Sequence, residues 1–560
     1  MSNQLKYEKD AAGIVTITID MDGPVNKMNE HFGTEFGTVV DRLEKEDDLA
    51  GVVLASAKKT FFAGGDLEWL LAVEPGSEAT LFENVEAMKA VMRRVEKLPV
   101  PVVAAINGAA LGGGYELCLM CNHRIALDDK SVKIGLTEVT LGLLPGGGGV
   151  VRLTWLLGLQ AAMPYLTEGK QVVPSAAKSA GLIHETVDSL DELIPRAKAW
   201  IEENRGTEEA HTQPWDTKGY RIPGGGANSP KIAPLIAAGS AMLFAKTQGR
   251  LPAPERILDT MVDAARLDFD TALRVESRNF AYVVTTPVAK NMIRSFFFQL
   301  NQVNGGGSRP QNVNRSSVKK VGIIGAGMMG QGIAFVSARA GIEVVLKDVE
   351  LAGAERGKAY SEKLLDKRVG RGRMSQAERD EVLARITPTA ESGDLEGCDL
   401  IIEAVFENVE LKDQILTENE GALVDNGIWG SNTSTLPITR LATKSRRAEN
   451  FIGLHFFSPV DKMPLLEIVV GKKTSDETLA RAFDYARQIK KTPIVVKDAL
   501  GFYTSRTIGT HLMEAAQMVA EGVEPVRVEA LSKGLGYPVG SLTLLDEVSL
   551  SLSVDIHDTQ

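Results

Sequence analysis

The residues best suited to chemistry in this chain fall into two groups. In the first half, three segments bring acids beside runs of glycine: FFAGGDLEWL (61–70), INGAALGGGYELCLM (106–120) and IGLTEVTLGLLPGGGGVVRL (134–153). Gly112, Gly113 and Gly114 precede an apolar helical run, so they offer bare backbone N–H groups at a positive helix end. AGGD, Ala63 to Asp66, offers a second amide. Two such donors converging on one oxygen make an oxyanion hole, suited to a thioester whose enolate must be stabilised. Glu116 follows the glycines by one residue, and Glu138 falls in a loop ahead of another Gly-rich turn. Two carboxylates facing one substrate can divide the work of activating water and delivering a proton. Spacing alone leaves a second reading open, in which both glutamates are solvated helix-end acids and the glycines are caps.

The second group begins with VKKVGIIGAGMMGQGIAFVSARAGIEVVLKD, Val318 to Asp348. β-Branched residues lead into Gly325, Gly327 and Gly330, a helix-length apolar pattern runs to Ala340, and a second strand ends at Asp348. This is a βαβ unit with the dinucleotide fingerprint in its required place. Gly325 permits the tight turn, Gly327 lets the backbone approach a pyrophosphate, and Gly330 lets helix and strand pack closely. Asp348 lies where a ribose 2′-hydroxyl acceptor is expected, and no Arg follows it to receive a 2′-phosphate, which favours NAD. Further on, FIGLHFFSPVDKMPLLEIVV (451–470) reads as two strands joined by a proline turn, with His455 and Glu467 on opposite arms. A His beside a buried carboxylate gains basicity and a fixed tautomer, which suits removal of an alcohol proton. The alternative is a core histidine with a surface glutamate.

The elements that must position these groups alternate β, α, β from Ile14 onward, with strands expected at 14–19, 51–54, 102–106 and 124–127. That implies open α/β layers. Residues 205–230 are polar and rich in Gly and Pro and read as a surface excursion, 231–300 return to helical periodicity, and 301–317 are a linker by composition. At 560 residues the length prior is three or four domains, and a net charge of −11 argues against a general nucleic-acid surface. Cys118 and Cys121 form a CxxC inside an apolar helical run, with Cys398 the only other cysteine, so neither a disulfide framework nor a metal site is expected. The first residues lack a signal-peptide core and no apolar run is long enough for a bilayer, so a soluble, cytoplasmic setting is expected.

The three glycine-rich segments resemble the enoyl-CoA hydratase, or crotonase, family over about residues 5 to 190. The resemblance implies a spiral ββα fold, acyl-CoA substrates, oxyanion donors at the N–H groups of Ala63 and Gly113, and Glu116 and Glu138 as the catalytic carboxylates. In that family these hold and activate water and exchange the proton at the 2-carbon. Two departures stand out: a slightly longer loop between the glutamates, and Tyr115, whose bulk would narrow the pocket. Residues 318–550 or so resemble the 3-hydroxyacyl-CoA dehydrogenases. Here the resemblance implies NAD as cofactor, His455 as base, Glu467 as its partner and Ser434 between substrate and nicotinamide. It puts Gly325, Gly327, Met329, Gly330, Asp348, Val405, Glu407, Lys412 and Ser458 on the cofactor side. Ser505 falls at a substrate contact where asparagine is frequent, and Ser458 likewise replaces a common asparagine.

Together the expectations are a crotonase-like domain (1–200), a stretch of polar excursion, helical connector and linker (201–317), a Rossmann NAD-binding domain (318–497) and an incomplete C-terminal helical domain (498–560). The second resemblance implies two helical repeats at the C-terminus, and the chain reads as stopping inside the first, as a truncated chain would. The order of the two sites resembles the multifunctional α-subunits of fatty-acid β-oxidation, which hydrate a 2-enoyl-CoA and then oxidise the product. That implies a thiolase β-subunit, a homo-oligomer and accessory isomerase or epimerase activity as further possibilities. Two other readings remain open at this level: a hydratase/isomerase with an impaired dehydrogenase half, and a non-catalytic acyl-CoA-binding scaffold for a thiolase.

Overall fold

A computed structural model describes residues 4–548, in two compact units, residues 1–298 and 299–560. The first is built on six strands: β1 (Leu5–Lys9), β2 (Ile14–Ile19), β3 (Gly51–Ser56), β4 (Val102–Ile106), β5 (His123–Leu127) and β6 (Glu185–Val187). They lie side by side in chain order, parallel except for the β1–β2 pair. β3 and β4 (GVVLAS and VVAAI) are buried on both faces, as parallel strands covered by helices must be. Around the sheet run the helices that carry the first group of chemistry. They are α1 (Glu78–Glu96), α2 (Gly113–Leu119), α3 (Gly149–Leu157), α4 (Pro252–Ala264) and α5 (Phe269–Thr285).

The connecting stretch departs from the reading as a surface excursion. Trp215 is buried and stacks on Phe269 with ring centroids 4.7 Å apart, and the Arg93 guanidinium pairs with Glu96, Asp216 and Asp270 at once. α5 packs on α1 and α3, so this part of the connector is built into the first unit. The polar composition of 205–230 hid a few large anchors whose partners lie more than a hundred positions away.

The second unit holds eight strands: β7 (Lys320–Ile324), β8 (Glu343–Lys347), β9 (Ile386–Thr389), β10 (Cys398–Glu403), β11 (Leu423–Ser431), β12 (Phe451–Phe456), β13 (Leu465–Val470) and β14 (Thr492–Lys497). Their order is β9-β8-β7-β10-β11-β12-β13-β14, and the first six are the 3-2-1-4-5-6 arrangement of a doubly wound dinucleotide fold. β13 pairs antiparallel with β12 and parallel with β14. The two helices that matter most for function are α6 (Met328–Arg339), after β7, and α7 (Thr504–Ala520), after β14.

Residues 301–317 are fastened along much of their length. Arg309 pairs with Asp484 at 2.7 Å and donates to the carbonyls of Pro310, Val313 and Asn314, while Ser316 caps the same aspartate. A guanidinium with this many fixed acceptors holds a segment that composition alone reads as flexible. The last helix described is Ser541–Val548; residues 549–560, on which the expectation of an unclosed C-terminal region rests, lie outside the described residues.

Candidate active sites

In the first unit, Gly112 has φ +54°, and a Cβ there would sit 2.9 Å from Glu138 Oε1. The helix start and the Glu138 carboxyl can be neighbours because that position has no side chain. Glu138 opens a short 3-10 turn (Glu138–Leu141), and its Oε2 is withdrawn from solvent without a hydrogen-bond partner among the described residues. Glu116, in the first turn of α2, is 2% exposed and accepts a 2.7 Å hydrogen bond from the Gly149 N–H at the start of α3. Burial raises both acids. For Glu116 the Glu276 charge adds to it and carries the carboxyl to about 7. For Glu138 the Glu116 charge adds to it and lifts the group well above the usual carboxylate range. Such a pair titrates as a unit and holds one proton across neutral pH, the protonation state that acid and base chemistry on one substrate requires.

The Ala63 N–H, the expected first oxyanion donor, is spent on the carbonyl of Asn26 at 2.8 Å. The amide that faces Gly113 belongs to Gly65, whose nitrogen lies 3.6 Å from where a Cβ on Gly113 would be. The cause is a single bridge between Met28 and Gly65, which turns alternate amides of this segment toward and away from its neighbour. Tyr115 does not narrow a pocket: it is 1% exposed and its hydroxyl donates to the Leu182 carbonyl within the core. Cys118 and Cys121 are buried free thiols, raised by that burial.

In the second unit, Gly325 takes φ +98°, and a Cβ there would stand 2.7 Å from the Ala404 carbonyl across the switch point between β7 and β10. At Gly330 a Cβ would lie 1.7 Å from the Gly325 carbonyl, so no other residue fits. A Cβ at Gly327 would meet no protein atom within 4 Å, leaving that face open to a ligand at the start of α6. Asp348 ends β8, accepts from the Ala326 N–H at 2.8 Å, and holds the turn from below. These features fit a dinucleotide: a glycine turn, an open helix N-terminus and an acid at the ribose position. Met329 is half-buried in the first turn of α6, and Val405 follows β10 at the same crevice.

Glu407 accepts from the Thr433 hydroxyl at 2.6 Å and from the Ser434 and Thr435 N–H groups, which fixes the loop carrying Ser434. Lys412 is 3% exposed, pairs with Glu403 at 2.9 Å and reaches Glu407 at 3.4 Å, so its charge is committed inside the unit. Ser505 donates to the Ser434 carbonyl at 3.1 Å, and Ser458 is exposed two residues beyond β12.

His455 and Glu467 stand directly opposite each other in the antiparallel β12–β13 pair, with Nδ1 to Oε2 at 2.8 Å. Glu467 is fully buried; its Oε1 accepts from the Tyr503 and Thr504 N–H groups and its Oε2 also accepts from the Thr504 hydroxyl at 2.6 Å. Burial opposes its charge, but the His455 and Thr504 hydrogen bonds outweigh that and hold it below the usual range. With a carboxylate on Nδ1–H, the imidazole presents Nε2 as the basic atom. Phe457 and Phe502 flank the ring, centroids 4.5 and 6.0 Å away. Thr504 carried no sequence signal as a second support, since its role depends on the first turn of α7 lying under β13.

Three family models match. Enoyl-CoA hydratase/isomerase covers residues 9–214, the NAD-binding domain of 3-hydroxyacyl-CoA dehydrogenase covers 320–499, and the C-terminal domain of that dehydrogenase covers 501–559. The fatty acid oxidation complex subunit alpha of Shewanella amazonensis is 37% identical over 97% of this chain and 76% of its own length. The protein of that name from Shewanella halifaxensis is 38% identical over the same shares. The chain belongs to the fatty acid oxidation complex α-subunit family. Among solved structures, (S)-3-hydroxybutyryl-CoA dehydrogenase PaaH1 from Ralstonia eutropha is similar over 43% of this chain, at 37% identity and a TM-score of 0.42. Among the described residues no helix is long and apolar enough to cross a membrane.

Proposed function

We propose that this family member is a bifunctional β-oxidation enzyme that hydrates a trans-2-enoyl-CoA to the 3-hydroxyacyl-CoA and then oxidises that product with NAD. The carrying observation is the pairing of two complementary sites on one chain: the Glu116–Glu138 carboxyl pair under a glycine-rich helix start, and the His455–Glu467 couple beside a dinucleotide turn.

In hydration the ionised member of the carboxyl pair takes a proton from water. The water oxygen bonds to the 3-carbon, and the protonated member gives its proton to the 2-carbon. The thioester oxygen, which carries the negative charge between these events, is held by the amides of Gly113 and Gly65; Gly65 takes the place expected for Ala63. The same pair can move a proton between the 2- and 4-carbons, which is the isomerase reaction. In oxidation, NAD supplies the acceptor for the electron pair and hydrogen leaving the 3-carbon. His455 Nε2 takes the hydroxyl proton, Glu467 carries the resulting positive charge on the ring, and Ser434 and Ser505 orient the substrate. Gly325, Gly327, Met329, Gly330, Asp348 and Val405 would hold the dinucleotide, while Glu407 and Lys412 shape the loop it meets. Relatives named as α-subunits support a thiolase-type partner and a cytoplasmic setting.

A coupled assay with crotonyl-CoA and NAD tests the proposal. Loss of the enone absorbance with matching NADH formation is expected. Loss without NADH would favour the reading of an impaired dehydrogenase half, and no loss at all would overturn the hydratase.

A further inference from the structure

Resting on the hydratase reading above, we propose that Glu276 is a positioning residue for hydration, acting through Glu116 from a helix outside the hydratase-matched residues. It lies on α5, and the hydratase family match ends at residue 214.

The geometry is that of a shared helix start. Glu116 Oε1 accepts from the Gly149 N–H at 2.7 Å, and Glu276 Oε2 accepts from the Val151 N–H at 3.0 Å. The two carboxylates thus divide the unpaired amides of the first turn of α3. Glu276 is fully buried, and its Oε1 stands 2.9 Å from Lys89 Nζ, itself 3% exposed. Lys89 is held by the Leu273 carbonyl and the Ser277 hydroxyl, each at 2.8 Å. A buried ion pair of this kind is costly to assemble and contributes little to stability over apolar packing. Its place against the first turn of α3 gives it a second effect, on the charge that Glu116 experiences.

The charged groups facing Glu276 set the sign. From α1 come Lys89 and, through Ser277, Glu86; from α3 comes Arg152, paired to Glu96 on α1; from the candidate site come Glu116 and Glu138. α4 meets α5 here through the neutral Asn279–Thr260 hydrogen bond. Glu276 repels the charge of both site acids, and Lys89 offsets part of that at Glu116. Removing the Glu276 charge therefore favours ionisation of the pair, and removing the Lys89 charge disfavours it.

The test is the pH–rate profile of crotonyl-CoA hydration by the full chain, with NADH formation from 3-hydroxybutyryl-CoA as an internal check on folding and concentration. Glu276→Gln keeps an oxygen for the Val151 N–H, and its alkaline limb is expected to move down by about one pH unit. Lys89→Met is expected to move the limb the other way, and the double variant, neutral as a pair, to return it toward wild type. Opposite shifts are not what a purely structural role would give. Profiles that superpose on wild type, or single variants that shift in the same direction, would overturn the proposal. A wild-type chain that does not hydrate crotonyl-CoA would instead overturn the hydratase reading, so the two failures are separable.

Discussion

Glu467→Gln has an outcome that follows from where its four donors sit. In the wild-type arrangement Oε1 accepts from the Tyr503 and Thr504 N–H groups at 3.0 and 3.1 Å, and Oε2 accepts from His455 at 2.8 Å and the Thr504 hydroxyl at 2.6 Å. A glutamine brings one acceptor oxygen and one donor group. The two backbone N–H groups cannot turn away, so the amide oxygen must serve them, and the amide nitrogen is left facing Thr504 and His455. The threonine hydroxyl can rotate to accept. The imidazole can accept only by moving its proton to Nε2, which removes the base from the face that meets the substrate hydroxyl. A base in the wrong tautomer loses most of its contribution, about 10³-fold in kcat, or about 4 kcal/mol of barrier. The assay is NADH formation from 3-hydroxybutyryl-CoA, with crotonyl-CoA hydration in the other unit as the control. A loss smaller than about tenfold would refute the claim that Glu467 fixes the His455 tautomer.

Two further outcomes are expected. Gly330→Ala places a Cβ 1.7 Å from the Gly325 carbonyl, so the turn must open; the KM for NAD should rise at least about tenfold while hydration is unchanged, and an unaltered KM would remove the fingerprint from the cofactor site. His184 is held down to about 2 by burial and by the Arg124 guanidinium, so below pH 6.5 the unfolded chain takes up a proton that the folded chain refuses. Stability should therefore fall as pH drops from 7 to 5, by up to about 1.4 kcal/mol per unit from this group, and His184→Asn should flatten that slope in thermal unfolding; equal slopes would contradict it.

The parts legible in the sequence were those whose cause is local. The turn at Gly325–Gly330, the strand carrying His455 and the glycines before Glu116 all depend on neighbours within a few positions. The register that puts Glu467 opposite His455 follows from one proline turn. What escaped depends on contacts distant in the chain. Gly65 rather than Ala63 faces Gly113 because of a bridge to Met28, which no local spacing encodes. Trp215 and Glu276 sit in stretches that composition reads as excursion and connector, and each is buried by partners on α1, α3 or α5. Arg309 makes an ordered strap of a polar, glycine-rich segment through one aspartate 175 residues away.

The most direct measurement compares Glu116→Gln with wild type on two substrates. The account predicts that hydration of crotonyl-CoA falls by orders of magnitude while NADH formation from 3-hydroxybutyryl-CoA proceeds at the wild-type rate. Hydration that survives the substitution, or oxidation that fails along with it, would contradict two independent chemistries carried by one chain.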